Sequence, residues 1–490
     1  MKNPSTELFD LIKSMTGSEK RYFKRRSNFH KLQSQNTYSK LFDAIDKQQV
    51  YEEETLKKEF DAKTFAVAKH YLYQQLLASL QQFHQEHQAE EQLRKLLYSF
   101  ELLLDKNLIS QAQKILIKAK KWIKANGLDT YQLILLQKQK QIWERNFFKS
   151  VTSTDLDHWM EQSQKSLKSM QEEFFFAEAH AQLTRLHYQK ISIQQEDYQS
   201  LIYSYLESEF FQSVSPSSIS AQIDQLRTRS IFHFMRSEPK EALKYNTKLL
   251  QLFEQHPFLI KNHPKRYLSL LQNYLIDNLQ LRQFDALEQG LQRLQKLPSN
   301  KLFARIPHLE ARVFERSTLL QLNMWMARGD FQIIQAESNN IKKGLKKYHR
   351  EIALHNKLSY HYLIALANFQ LDAHDKTQEW LQVFLQSSKK NQAEELFRFA
   401  HLLHLFVHFN LENHEFLHYQ LLTYRRQFAP LYKAEELSFD VFRKLPTLSK
   451  KQKADFLKSK EEEYKEIRKI SNQQRPFNYF DFRAWLKKLV

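Results

Sequence analysis

Apolar residues recur along most of this 490-residue chain at the three- and four-residue spacing of an α-helix. Phe65, Ala68, Leu72, Leu76, Leu80 and Phe83 mark one face of a segment from 64 to 88, and a face of that kind must be covered by neighbouring helices. The same pattern predicts helices over 107–125, 129–148, 155–190, 218–235, 239–255, 264–281, 284–296 and 302–327. It continues over 330–347, 351–371, 375–388, 392–410, 414–428 and 449–470, with three segments at 38–47, 52–60 and 64–80 near the start. Links of a few residues separate them and hold most of the Gly, Pro, Asn and Asp. Short links between long helices make antiparallel neighbours.

The links recur as Ser237-Glu238-Pro239, Leu281-Arg282-Gln283-Phe284, Arg328-Gly329-Asp330-Phe331, Asp372-Ala373-His374-Asp375 and Glu412-Asn413-His414, at steps of about 39 to 47 residues. That is the span of one helical hairpin in a solenoid. Ser237-Glu238-Pro239-Lys240-Glu241-Ala242-Leu243-Lys244-Tyr245 resembles the turn, small alanine and second-helix aromatic of the tetratricopeptide-repeat superfamily, and Arg328-Gly329-Asp330-Phe331 resembles the same turn. The likeness covers 220–430. It departs from the family in helices longer than a 34-residue repeat permits and in bulkier residues at most helix crossings. What the resemblance implies is an architecture: an all-α, right-handed superhelical array of antiparallel helical hairpins. The expected organisation is an N-terminal helical region over 1–105, hairpins over 106–430 and a C-terminal helical cap over 431–490. Ser213-Val214-Ser215-Pro216-Ser217-Ser218 breaks the periodicity and offers a hinge at 213–219, although an ordinary interhelix loop explains it better.

Composition narrows the chemistry. With 5 glycines in 490 residues, the left-handed residues that hairpins, bulges and nucleotide loops demand are scarce, which argues against a sheet. No two glycines are close enough for a Walker A loop or a dinucleotide fingerprint. The absence of cysteine excludes disulfides, thiolate metal sites and cysteine nucleophiles. No uncharged apolar run nears 18 residues, and Glu7, Asp10 and Lys13 interrupt the first segment, so the expectation is a cytoplasmic protein without signal peptide or membrane span.

A net charge of +19 favours acidic partners but does not choose among nucleic acid, anionic membrane and acidic protein. The excess is distributed: nine basic against three acidic residues in 1–40, ten against three in 105–150, and fourteen against six in 443–490. For nucleic acid the candidate contacts are Lys20, Arg21, Lys24, Arg25 and Arg26, within a basic stretch from Ser18 to Lys31 that is interleaved with Tyr22 and Phe23. The segment over 64–80, with Lys69, His70 and Tyr73, has a superficial likeness to a recognition helix. The competing account turns Tyr22 and Phe23 inward and leaves the cations as a solvated face.

His414-Glu415-Phe416-Leu417-His418 matches His-Glu-x-x-His, whose two imidazoles on one helical face hold zinc beside a glutamate that polarises water. Glu436 stands where gluzincin peptidases keep a third ligand. Charged Glu412 and polar Gln420 flank the motif where those enzymes keep uncharged or apolar residues, and the first turn of a repeat helix accounts for it better. His401, His404 and His408 form a second stripe, beside Leu402, Leu405 and Phe406, and packing histidines explain them better than a metal site. The aromatic end, Arg475 to Leu486, reads as a terminal cap before a partner-binding tail. The expected function is therefore a non-catalytic, protein- or peptide-binding scaffold without cofactor or metal. Its alternatives are a nucleic-acid-binding helical array and, more remotely, a zinc peptidase through His414, His418 and Glu436 with Glu415.

Overall fold

A computed structural model describes residues 5–29, 37–60, 64–85, 89–188, 216–304, 306–386, 394–470 and 473–489. Among them every regular element is a helix: α1 Glu7–Ser14, α2 Gly17–Phe29, α3 Thr37–Lys47, α4 Glu53–Glu59, α5 Phe65–Gln85, α6 Ala89–Asp105, α7 Ile109–Asn126, α8 Gln132–Arg145 and α9 Ser153–Tyr188. They continue as α10 Ile219–Met235, α11 Pro239–Gln255, α12 Pro257–Asn262, α13 Pro264–Gln280, α14 Phe284–Gln295, α15 Leu309–Arg328, α16 Phe331–Lys347 and α17 Leu354–Gln370. The last are α18 His374–Leu385, α19 Glu394–Asn410, α20 His414–Phe428, α21 Lys433–Lys444, α22 Lys450–Lys469 and α23 Phe482–Lys488. The chain divides into two compact units, residues 1–270 and 271–490, with the boundary inside α13.

Most boundaries fall within a few residues of the apolar pattern. The exception is the segment over 302–327, whose helix starts only at Leu309, after 3-10 turns at Leu297–Ser299 and Lys301–Phe303. Pro307 is the physical reason: it disfavours helical backbone at the residue before it. His308 then takes left-handed backbone (φ 54°) as the N-cap of α15.

Six helix pairs, α6/α7, α10/α11, α13/α14, α15/α16, α17/α18 and α19/α20, reverse direction in one and the same way. Each first helix ends on a residue in left-handed backbone: Asn107, Ser237, Arg282, Gly329, Asp372 and Glu412, with φ of 58°, 59°, 54°, 81°, 56° and 57°. The amide of the following residue then reaches back to a carbonyl five residues earlier: Leu108 to Leu103, Glu238 to His233, Gln283 to Asn278, Asp330 to Trp325, Ala373 to Asn368 and Asn413 to His408, at 2.8–3.0 Å. The left-handed residue donates its own amide three residues back, from Asn107 to Leu104 and from Glu412 to Phe409, for example. This double bond set is the Schellman motif, which satisfies carbonyls that a helix end leaves open. Where the pairs pack most closely the second helix carries a small residue: Ala242 on α11 is fully buried, Gly290 on α14 lies against Leu275 of α13, and Gly344 on α16 lies against Phe314 of α15.

In the first unit, α1 to α5 enclose a core of Leu8, Ile12, Phe23, Leu41, Phe42, Leu72 and Leu76. A second core lies among α6, α7 and α8, while α9 packs on α10. Ser217 donates its amide (2.8 Å) and hydroxyl to buried Glu172 of α9, and Ser218 caps α10 through the amide of Ala221. The described part of the 213–219 link is thus bonded in place; Ser213 to Ser215 lie outside the described residues.

In the second unit successive helices pack in sequence from α14 to α20, and α17 also touches α15 and α19, its neighbours two places away. The chain end seals this row. Phe480 stacks on Phe406 at 4.3 Å, Trp485 meets the same ring edge-on at 4.5 Å, and Tyr479 stacks on Phe399 at 4.3 Å. The hydroxyl of Tyr362 donates to the carbonyl of Tyr479 at 2.9 Å. Glu435 on α21, fully buried, locks the preceding hairpin by accepting from both Nε and Nη2 of Arg398, from the Tyr424 hydroxyl (2.8 Å) and from the amide of Tyr432 (2.8 Å). A bidentate, charge-assisted arrangement of this kind compensates the burial of both charges.

Five of the six turns carry a side chain where glycine has no steric penalty. Glu412→Gly should therefore raise stability by about 0.5–1 kcal/mol, read as a higher denaturant midpoint at unchanged slope. A lower midpoint would mean that the α19/α20 turn is not left-handed.

Candidate functional site

Two of the five candidate cations on α2 are paired within the first unit. Lys20 pairs with Asp46 at 2.6 Å and Lys24 with Asp43 at 2.6 Å, both on α3. Arg21 donates through Nε to the Gly17 carbonyl at 3.2 Å and, like Arg25, is exposed. Phe23 is buried against Phe42, and Tyr22 meets Phe83 edge-on, so the aromatics face the core and are not free to stack on bases. The side chain of Arg26, with His30 and Lys31, lies outside the described residues. On α5, Lys69 donates to Glu53 at 2.6 Å and to the Tyr51 hydroxyl at 2.8 Å, and these bonds tie α5 to α4.

The His-Glu-x-x-His pentapeptide forms the first turn of α20. Leu417 is buried and Phe416 covers the ring of His408 at 4.3 Å, whereas His414, Glu415 and His418 face solvent. Glu436 is exposed on α21, and it is its neighbour Glu435 that turns inward. Among the described residues no three His, Asp or Glu side chains converge as metal ligands, so the structure does not bring His414, His418 and Glu436 together.

The stripe on α19 is joined by hydrogen bonds. Nε2 of His404 and Nε2 of His408 are 3.0 Å apart, and the side-chain amide of Asn413 lies 3.0 Å from Nδ1 of His408. The side-chain amide of Gln378 approaches Nε2 of His408 as well, at 3.5 Å, so three polar groups surround that ring and one hydrogen bond joins the two imidazoles. Burial, reinforced by His408 and His401, pushes His404 down to about 4, and burial lowers His408 as well. These are the partners that neutral histidines in a core require.

In the first unit, α9, α10 and α13 bring a second set of titratable groups together. Burial, with the guanidiniums of Arg227 and Arg266, pushes His180 down to about 4. Arg227 is held by Asp224 at 3.0 Å. Glu173 is raised by burial, and its carboxylate accepts from the Ser218 hydroxyl at 2.8 Å. The chemistry available here is charge pairing and hydrogen bonding.

Two surface features were not singled out from the sequence. The outer face of α9 exposes Leu156, Met160, Leu167 and Phe174, and the outer face of α7 exposes Lys114, Lys118, Lys120, Lys121 and Lys124. The signal for the first was the helical period itself, which is the same for a buried and an exposed stripe. The signal for the second was the ten-to-three basic excess over 105–150.

No helix among the described residues is long and apolar enough to cross a membrane. Comparison of the chain with protein-family models, with curated proteins and with solved structures gives no match. Its class is accordingly set by the fold: an all-α protein whose helices pack in neighbouring pairs.

Unfolded histidine takes up a proton near pH 6.5, whereas His404 and His180 in the folded chain do so only near 4. Between those values the unfolded state binds more protons, so stability should fall as pH is lowered from 6.5 to 4 and lose nothing further from these groups below 4. His404→Leu should flatten this dependence in urea melts; an identical pH profile would place His404 outside the core.

Proposed function

We propose that this protein is a non-catalytic, cytoplasmic scaffold that binds another protein or a peptide on a right-handed, tetratricopeptide-like array of helical hairpins. The observation that carries the reading is the stripe on α9. Leu156 (39% exposed), Met160 (53%), Leu167 (52%) and Phe174 (70%) fall within an arc of about 40° along about 27 Å of one helix. Scattered exposed apolar residues are ordinary, but a straight stripe at four- and seven-residue intervals is the seam against which a second helix packs. Its two ends differ in support: the Phe174 end lies where α9 is packed on α10, and the Leu156 end lies where α9 is held to α8 by the Trp159 indole, which donates to the Leu136 carbonyl at 2.9 Å. The six identical hairpin turns support the repeat architecture, since stacked hairpins of constant geometry build an extended binding surface.

A photo-crosslinking side chain placed at Met160 in the native cell tests this. The reading predicts a discrete adduct that disappears in Leu167→Glu/Phe174→Glu while the melting temperature changes little, because both side chains are exposed. A folded protein that gives no adduct at Met160, or the same adduct after both substitutions, would contradict it.

A further inference from the structure

The solvent face of α7 is built from lysine. The helix runs ISQAQKILIKAKKWIKAN and contains no acidic residue. Ala112, Leu116, Ala119 and Ile123 fill its inner face, the Trp122 indole donates to the Ala89 carbonyl at 2.8 Å, and Gly127 closes it in left-handed backbone. What remains outward is Lys114, Lys118, Lys120, Lys121 and Lys124 around Ile117, an arc of about 160° over about 15 Å. None of the five has an ion pair or side-chain hydrogen bond among the described residues. The acidic side chains of the helices packed beside it are mostly taken: Glu90 and Glu91 by Arg94, Glu101 by Lys138, and Glu144 by Lys140, which leaves Asp105 at the end of α6 and Asp129 in the 3-10 turn that follows α7. This contrasts with α2, whose Lys20 and Lys24 are neutralised from α3.

We infer that the outer face of α7 is a docking surface for a nucleic-acid duplex, which it holds by the phosphate backbone. Lysine is depleted at protein–protein interfaces, where aromatic and apolar anchors carry the binding, and here Ile117 is the one large apolar side chain exposed on the face among the described residues. Five point charges without an intervening acid match a polyanion, and Lys114, Lys118 and Lys121 follow one another at the interval of one helical turn. Without aromatic or guanidinium groups on the face, contact is to phosphates and is independent of sequence. The site lies on α7 alone and is separate from the α9 stripe, so either can fail without the other.

The test is fluorescence anisotropy of the full chain with a 24-base-pair DNA duplex of arbitrary sequence and the RNA duplex of the same sequence. Engagement of three to five lysines predicts that affinity falls about 40- to 500-fold between 50 and 200 mM salt. K114Q/K118Q/K120Q/K121Q/K124Q should abolish most of this binding while circular dichroism and melting stay unchanged. K343Q/K346Q/K450Q/K451Q/K458Q removes the same charge from exposed sites elsewhere and should bind almost as the unaltered chain does. Three results would overturn the inference: no binding of either duplex at 50 mM salt, equal loss in both variants, or tighter binding of poly-glutamate than of duplex at equal charge.

Discussion

A helical hairpin closes only where the chain can reverse within two or three residues and still find donors for the carbonyls at the end of its first helix. In this protein one device does both. A single residue steps into left-handed backbone, and the next amide returns to a carbonyl five residues back. The second helix then starts immediately and is directed back along the first. The small residues Ala242, Gly290 and Gly344 lie on these second helices where a larger side chain would meet the first, so turn and crossing are parts of one constraint. Five of the six left-handed positions hold Asn, Ser, Arg, Asp or Glu. Strain is therefore accepted at the turn, where the same backbone bonds close every one of the six pairs.

The row of helices in the second unit also has to end. A repeat exposes an apolar face to its successor, and after α20 the sequence changes character so that α21, α22 and the aromatic end cover that face. Phe480, Phe482 and Trp485 surround Phe406, and the Arg398–Glu435 pair joins α19 to α21 beside them. Removing Arg398 would leave the buried Glu435 carboxylate with only the Tyr424 hydroxyl and the Tyr432 amide to offset its charge, a larger loss than the pair's own net attraction.

The helices were legible because a buried face leaves a three- and four-residue period whatever it packs against. That same generality hid the α9 stripe, whose Met160, Leu167 and Phe174 have the period of a core while facing water. The turn was legible as a recurring link but not as a left-handed one, since Arg282 and Glu412 are poor indicators of that backbone. The pairing of Lys20 and Lys24 on α2 was not legible because their partners Asp46 and Asp43 lie nearly twenty or more residues away in sequence. The lysines of α7 were visible only as a regional excess; burial of Ala112, Leu116, Ala119 and Ile123 is what gathers them on one side. For the histidines of α19 the sequence supplied the shared stripe, and the structure supplied the contacts that join Asn413, His408 and His404.

The account stands or falls on the repeated turn. Native-state hydrogen exchange resolved to single amides tests it most directly, at Leu108, Glu238, Gln283, Asp330, Ala373 and Asn413. If each of these amides closes a hairpin, all six exchange far more slowly than in the unfolded chain and open together with the helices they join. Exchange at the unprotected rate at two or more of them, in a chain whose helices are otherwise protected, would contradict the account.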